Sequence, residues 1–186
     1  MNRERGDPEP RDDELVRRAR EGDDEALSRL VERHHEMAYR VAMGYTRDPD
    51  LAGDVTQNAF VKAMRGLARF RGDSRFRTWL MSIVANEARS QLRSQGRRRE
   101  SALEDAPPVR AATVAVDEGV IERQEEGRAR GLLSRLPEKQ RLSVLLRVDE
   151  GLSFREVGEL IGSSEGAARV NYHHGIRKLR EWMDDG

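Results

Sequence analysis

The sequence predicts an all-α protein: two small helical domains joined by a flexible linker. Three observations predict it. Apolar residues recur at spacings of three, four and seven, and no stretch alternates like a strand. Charged residues make up 37% and aromatics 5% of the 186, so the cores must be small and mostly aliphatic. A proline-bearing acidic segment past the middle separates two blocks of helical periodicity.

Taken in order, residues 1–11 hold Pro8 and Pro10 among mixed charges, have almost nothing to bury, and are expected to be disordered. Residues 12–97 form the first bundle. Asp23 or Asp24 caps a helix with Leu27, Leu30, Val31, Ala38, Val41 and Tyr45 on one face. "RDPD" (47–50) breaks it, and Asp50 is expected to cap the next helix, striped by Leu51, Val55, Ala59, Ala63 and Leu67. "RGDS" (71–74) is a turn. Phe76, Trp79, Leu80, Ile83, Val84 and Ala88 line a third, long helix, with Trp79 in the core. Residues 98–125, with Pro107 and Pro108, read as an acidic linker. Residues 126–183 form the second unit. Leu132, Leu133 and Leu136 end one helix, and Pro137 opens the next, where Leu142, Leu145 and Leu146 face inward until Gly151. Ser153 and Glu156 make a capping box ahead of Phe154, Val157, Leu160 and Ile161. Gly162 turns the chain. Ser164 caps a last helix whose inner stripe is Ala168, Tyr172, Ile176, Leu179 and Met183.

The net charge is zero but segregated. Residues 62–99 carry eleven bases and two acids, a net +9; residues 100–126 carry two bases and eight acids, a net −6. A basic block of this kind suits a polyanion, while the plain alternative is a solvated helical face. The absence of cysteine excludes disulfides, thiolate metal sites and a cysteine nucleophile. No apolar run approaches the roughly 18 residues of a membrane span. The start, "MNRERGDPEP", is polar, so a cytoplasmic location is expected. No glycine-rich phosphate loop, Ser-His-Asp set or His-Glu metal motif occurs, so no enzyme activity, cofactor or small-molecule substrate is expected. The four histidines form two adjacent pairs, His34–His35 and His173–His174, whose members point about 100° apart on a helix and do not chelate. No metal is expected; His34 and His35 are expected at the surface or boundary.

Residues 153–180 have the layout of a helix-turn-helix: a short capped helix, a glycine turn, a longer helix. Opposite the inner stripe of the last helix lie Gly166, Ala167, Val170, His173, His174 and Arg177, flanked by Arg169 on one side and Asn171 and Lys178 on the other. A small outer face lets a helix sink into the major groove, where apolar groups meet thymine methyls and polar ones reach bases or phosphates. A helical hairpin used only for protein contacts is the alternative. In the first unit, Arg93, Arg97, Arg98 and Arg99 lie at or past the end of the long helix. Asn86 sits in mid-helix, where asparagine is a poor helix former, so it either works at the surface or has no role. Phe70 and Phe76 flank a Gly-Asp-Ser loop. They either receive an unstacked base or plug the bundle.

Three segments together resemble bacterial RNA polymerase sigma factors of the extracytoplasmic-function (ECF) subclass of the sigma-70 family. "DLAGDVTQNAFVKAM" (50–64) resembles region 2.2, "FRGDSRFRTWLMSIVANEARSQLRSQGRR" (70–98) regions 2.3 and 2.4, and "LPEKQRLSVLLRVDEGLSFREVGELIGSSEGAARVNYHHGIRKLR" (136–180) region 4. The resemblance implies that the first unit is a sigma-2 domain. It would bind the β′ clamp of core RNA polymerase with Asp50, Asp54, Gln57 and Phe60. It would melt and read the minus-ten element with Phe70, Asp73, Ser74, Phe76, Asn86, Arg89, Arg93, Arg97 and Arg98. The second would be a sigma-4 domain, reading minus-thirty-five DNA with Ser164, Arg169, Val170, Asn171, His173, His174, Arg177 and Lys178 and docking on the β flap. An anti-sigma factor would control it. Gly53 and Asn58 replace frequent acids, and Ala167, Asn171, His174 and Gly175 replace frequent Thr, Arg, Arg and Ala, which points to an unusual minus-thirty-five sequence. A sigma-like antagonist that binds polymerase or a regulator without reading DNA is the alternative. The acidic linker is expected to fold back on the basic block.

Overall fold

The computed structural model describes residues 9–103 and 131–184. Among these residues every regular element is helical. They are α1 (Asp12–Arg20), α2 (Asp24–Thr46), α3 (Pro49–Gly66), a 3₁₀ turn (Leu67–Arg69), α4 (Phe76–Leu103), a helical stretch at 131–135, α5 (Glu138–Val148), α6 (Phe154–Ile161) and α7 (Glu165–Asp184). The predicted stripes are the buried ones. Leu30, Ala38, Val41 and Tyr45 of α2, Leu51, Val55, Ala59 and Ala63 of α3, and Leu80, Val84 and Ala88 of α4 share one core. Each fully buried aliphatic side chain contributes about 1.5–3 kcal/mol of apolar burial. Helices α2, α3 and α4 pack on one another and α1 lies along α2; in the second unit α5 and α6 both pack on α7.

Capping explains most boundaries. Asp23 accepts from the Ala26 N–H at 3.0 Å to start α2. Helix α3 begins two residues earlier than expected: Asp48, not Asp50, accepts from the Leu51 N–H at 3.0 Å, because Pro49 takes the first helical position. The Ser153–Glu156 capping box is complete, with the Glu156 side chain accepting from the Ser153 N–H at 2.9 Å. Ser164 accepts from the Ala167 N–H at 3.2 Å. Gly162, at φ 62°, takes the left-handed turn that glycine adopts without strain.

Two expectations change. Helix α4 runs to Leu103, so the first residues of the expected linker, from 98, are helical; the remainder, and the proposed fold-back of its acids, lie outside the described residues. His34 is not a boundary residue. It is buried, 2.8 Å through Nε2 from Asp12 Oδ2, and packs against the Phe76 ring. The placement of the two units, which the sequence leaves open, is a packed one: α2 lies on α5 and α4 on α6 within a single apolar cluster.

Candidate nucleic-acid interface

Helix α4 presents its polar face outward. Asn86 is exposed, and its Oδ1 accepts from Arg89 Nη1 at 3.2 Å. Arg93, Arg97 and Arg98 follow, exposed and without an acidic partner among the described residues. The loop before α4 exposes Arg71, Asp73, Ser74 and Arg75, with Arg71 Nε 3.1 Å from Asp73. Phe70 and Phe76 are only 9% and 5% exposed. Their rings meet at 6.0 Å edge-on, and Trp79 lies 4.8 Å from Phe70. These aromatics fill the bundle, leaving the loop's polar groups as its open surface. Behind α4, the buried carboxylate of Glu87 takes hydrogen bonds from Lys62 and Gln91.

Arg89 occupies a different position from its neighbours. Its guanidinium lies 5.3 Å from the Tyr45 ring centroid and donates to the Tyr45 hydroxyl at 3.1 Å and to the Leu160 carbonyl. The Tyr45 hydroxyl donates to the same carbonyl at 2.7 Å. Burial pushes the Tyr45 phenol up to about 12, with the Arg89 charge pulling the other way.

Helix α7 exposes the small face that its sequence predicts. Gly166, Val170, His173, His174 and Arg177 are exposed, Val170 at 54%. Arg169 pairs with Glu165 at 3.1 Å and lies 4.9 Å from the Phe154 ring, whose surroundings also hold the Arg147 guanidinium at 5.0 Å. Asn171 donates to the Ala167 carbonyl at 2.9 Å, a bond within its own helix that leaves its amide oxygen open. Lys178 is half-buried. On the hidden side, Gly175 sets the packing distance: a Cβ there would stand 2.7 Å from Val144 Cγ2 and 3.3 Å from the Gln140 carbonyl. Gly175 was not in the predicted stripe, because glycine carries no hydrophobic signal.

Helix α3 carries a separate surface. Asp50, Asp54 and Gln57 are exposed along one face, while Phe60 is buried beneath it with its ring 6.1 Å from that of His35. The exposed face continues into Val61 and Met64, which the expected site omitted although they lie at the same three-four spacing.

A helix-turn-helix and a basic helix whose Arg93, Arg97 and Arg98 have no acidic partner among the described residues mark a DNA-binding protein of two helical units. The family follows from comparison. Residues 30–98 match the model "Sigma-70 region 2" and residues 127–179 match "Sigma-70, region 4". Among similar proteins, the ECF RNA polymerase sigma-E factor of Escherichia coli (strain K12) is 34% identical over 185 residues, covering 94% of this chain and 93% of that protein. RNA polymerase sigma-H factor of Pseudomonas aeruginosa is 33% identical over 181 residues, covering 93% and 92%. RNA polymerase sigma factor CarQ of Myxococcus xanthus is 34% identical over 173 residues, covering 91% and 96%. The solved structure of CnrH in complex with the cytosolic domain of CnrY matches with a TM-score of 0.66 and 26% identity over 92% of this chain and 96% of that one. The sigma factor RpoE in complex with the anti-sigma factor NepR from Bartonella quintana shares the fold, with a TM-score of 0.68 and 21% identity over 84% and 96%. The chain belongs to the sigma-70 family of RNA polymerase sigma factors, in its ECF branch, and functions as a sigma factor.

Proposed function

We propose that the first unit, residues 12–97, binds core RNA polymerase and reads and melts the minus-ten element, and that the second, residues 126–183, reads minus-thirty-five DNA and docks on the β flap. In this reading the α3 face of Asp50, Asp54 and Gln57, with Val61 and Met64 added, meets the β′ clamp; Phe60 supports that face from below. Asn86 reads a base, Arg93, Arg97 and Arg98 hold phosphates, and Asp73 and Ser74 contact an extruded base, while Phe70 and Phe76 build the wall beneath them. On α7, Val170 and His173 approach base edges, and Arg169, His174, Arg177 and Lys178 supply polar and phosphate contacts. The protein performs no chemistry of its own, works in the cytoplasm where polymerase is, and is held in check by an anti-sigma factor, the kind of partner that the RpoE structure contains.

The observation that supports this most is the pairing of one exposed asparagine with a row of exposed arginines that have no acidic partner among the described residues, all on a single helix. Amides read bases and guanidiniums hold phosphates. The test is the salt dependence of promoter binding by the chain with core polymerase. Real phosphate contacts make affinity fall steeply as salt rises. A flat response would favour an antagonist that never reads DNA.

A further inference from the structure

We infer that Glu87 is a positioning residue for promoter reading: through Lys62 it fixes the rotation of α4 against α3 and so aims the Asn86 amide. The inference rests on the reading role proposed for Asn86 above.

Residues 62–99 hold only two acids, Asp73 and Glu87. Asp73 lies in the exposed loop and pairs with Arg71 at 3.1 Å. Glu87 stands on α4 itself, next to Asn86. An outward carboxylate there would repel the phosphates that Arg93, Arg97 and Arg98 are proposed to hold. It is turned inward instead, with its side chain 5% exposed. Its Oε2 accepts from Lys62 Nζ on α3, and its Oε1 accepts from Gln91 Nε2 at 3.1 Å, one turn further along α4. Both carboxylate oxygens are therefore engaged, one across to the neighbouring helix and one along its own.

Burying a paired carboxylate is costly, and apolar residues of similar volume are often as stable; what such a pair best supplies is register. The packing around it gives register a use. The inward residues flanking Asn86 are Val84, Ala85 and Ala88, all buried. Small aliphatic contacts are non-directional and resist rotation weakly, whereas a hydrogen bond is directional. Neighbours on a helix point about 100° apart, so holding Glu87 toward α3 turns Asn86 outward. With side chains a helix is about 5–6 Å in radius, so a rotation of about 20° carries a side-chain end about 2 Å. Hydrogen bonds tolerate about 0.5 Å, so such a rotation would lose a base. Lys62 points about 100° round α3 from exposed Val61. One bond therefore ties the α3 face proposed for polymerase to the α4 face proposed for DNA.

The test is competition binding of holoenzyme, assembled from the full chain and core polymerase, to promoters randomised over the minus-ten element. Discrimination is the affinity ratio of best to worst base at the position that Asn86→Ala relaxes. Glu87→Met removes both bonds at similar volume and strands no charge, since the Lys62 side chain is already 58% exposed. It should lower discrimination at that position by at least about fivefold. Glu87→Gln, which still accepts from Lys62, should stay within about twofold of the unsubstituted chain. Lys62→Ala cuts the same bond from the exposed side and should lower discrimination at least about threefold, so the test stands even where Glu87→Met fails to fold. In an Asn86→Ala background neither change should lower it further, because no amide is left to aim. Undiminished discrimination in Lys62→Ala or in folded Glu87→Met would overturn the positioning role and leave Asn86 a reader. So would an equal loss at every minus-ten position, the mark of a merely structural role. An Asn86→Ala chain that relaxes no position would overturn the reading role, and the positioning with it.

Discussion

Helices α4 and α7 are the two elements proposed to meet DNA, and they are built on opposite plans. Helix α4 is anchored at its start by large rings, Phe76 and Trp79, and further along exposes Arg93, Arg97 and Arg98, which have no acidic partner among the described residues. Helix α7 is seated by the absence of a side chain, Gly175 against Val144, and neutralises its own bases at one-turn spacing, Arg169 with Glu165 and Arg177 with Glu181 at 3.7 Å. Uncompensated charge suits a surface that must hold strands pulled apart, where phosphates offer the only constant feature. A compensated, small-faced helix suits a closed groove, where shape and a few hydrogen bonds discriminate. In the proposed reading, one fold class serves two tasks through where charge is cancelled.

The comparison can be broken most severely at Gly175. Gly175→Val should destabilise the second unit by on the order of 3 kcal/mol, because Val144 and the Gln140 carbonyl leave no room. Thermal unfolding checks it, and a neutral result would mean that α5 and α7 are not seated as described. Next, Asn86→Ala should relax minus-ten preference at a cost of about 1–3 kcal/mol with overall helicity unchanged. Competition binding among promoter variants measures this. The Asp12→Asn change should cost about 1–2 kcal/mol, because it removes the negative charge and leaves one amide oxygen where two carboxylate oxygens serve Arg33 and buried His34. Burial raises the Asp12 carboxyl, but hydrogen bonds from His34 and Arg33 outweigh it and hold the group below its ordinary 3.8. The stabilisation is therefore present above that pH and lost as pH falls through the lower folded value; acid unfolding of the Asn variant should show the difference gone at the acid end. Smallest is the contrast in salt slope. Arg98→Ala should reduce it by about one, and Arg177→Ala by less, since Glu181 already offsets that charge.

Local pattern carried the sequence reading a long way. The stripes of α2, α3 and α4, the complete capping box at Ser153 and the small outer face of α7 are all set by neighbours within one or two turns, which periodicity reports directly. Most of the misses are long-range. His34 is buried only because Asp12, 22 residues away, accepts from it. Phe70 and Phe76 are core residues because α1, α2 and Trp79 close over them. The contact of Arg141 with Gly44 spans 97 residues and that of Tyr45 with Leu160 spans 115. Separations of that size leave no periodic trace. Asp48 displaced Asp50 as a cap for a local reason that was present in the sequence, Pro49 between them.

In the proposed reading, two helices of this chain read two separate blocks of one promoter. Transcription by core polymerase and the purified chain from a library randomised upstream of the start site tests it directly. Two enriched blocks about 25 base pairs apart are expected, with Asn86→Ala relaxing only the block nearer the start. A single block, or relaxation of both by that one change, would contradict it.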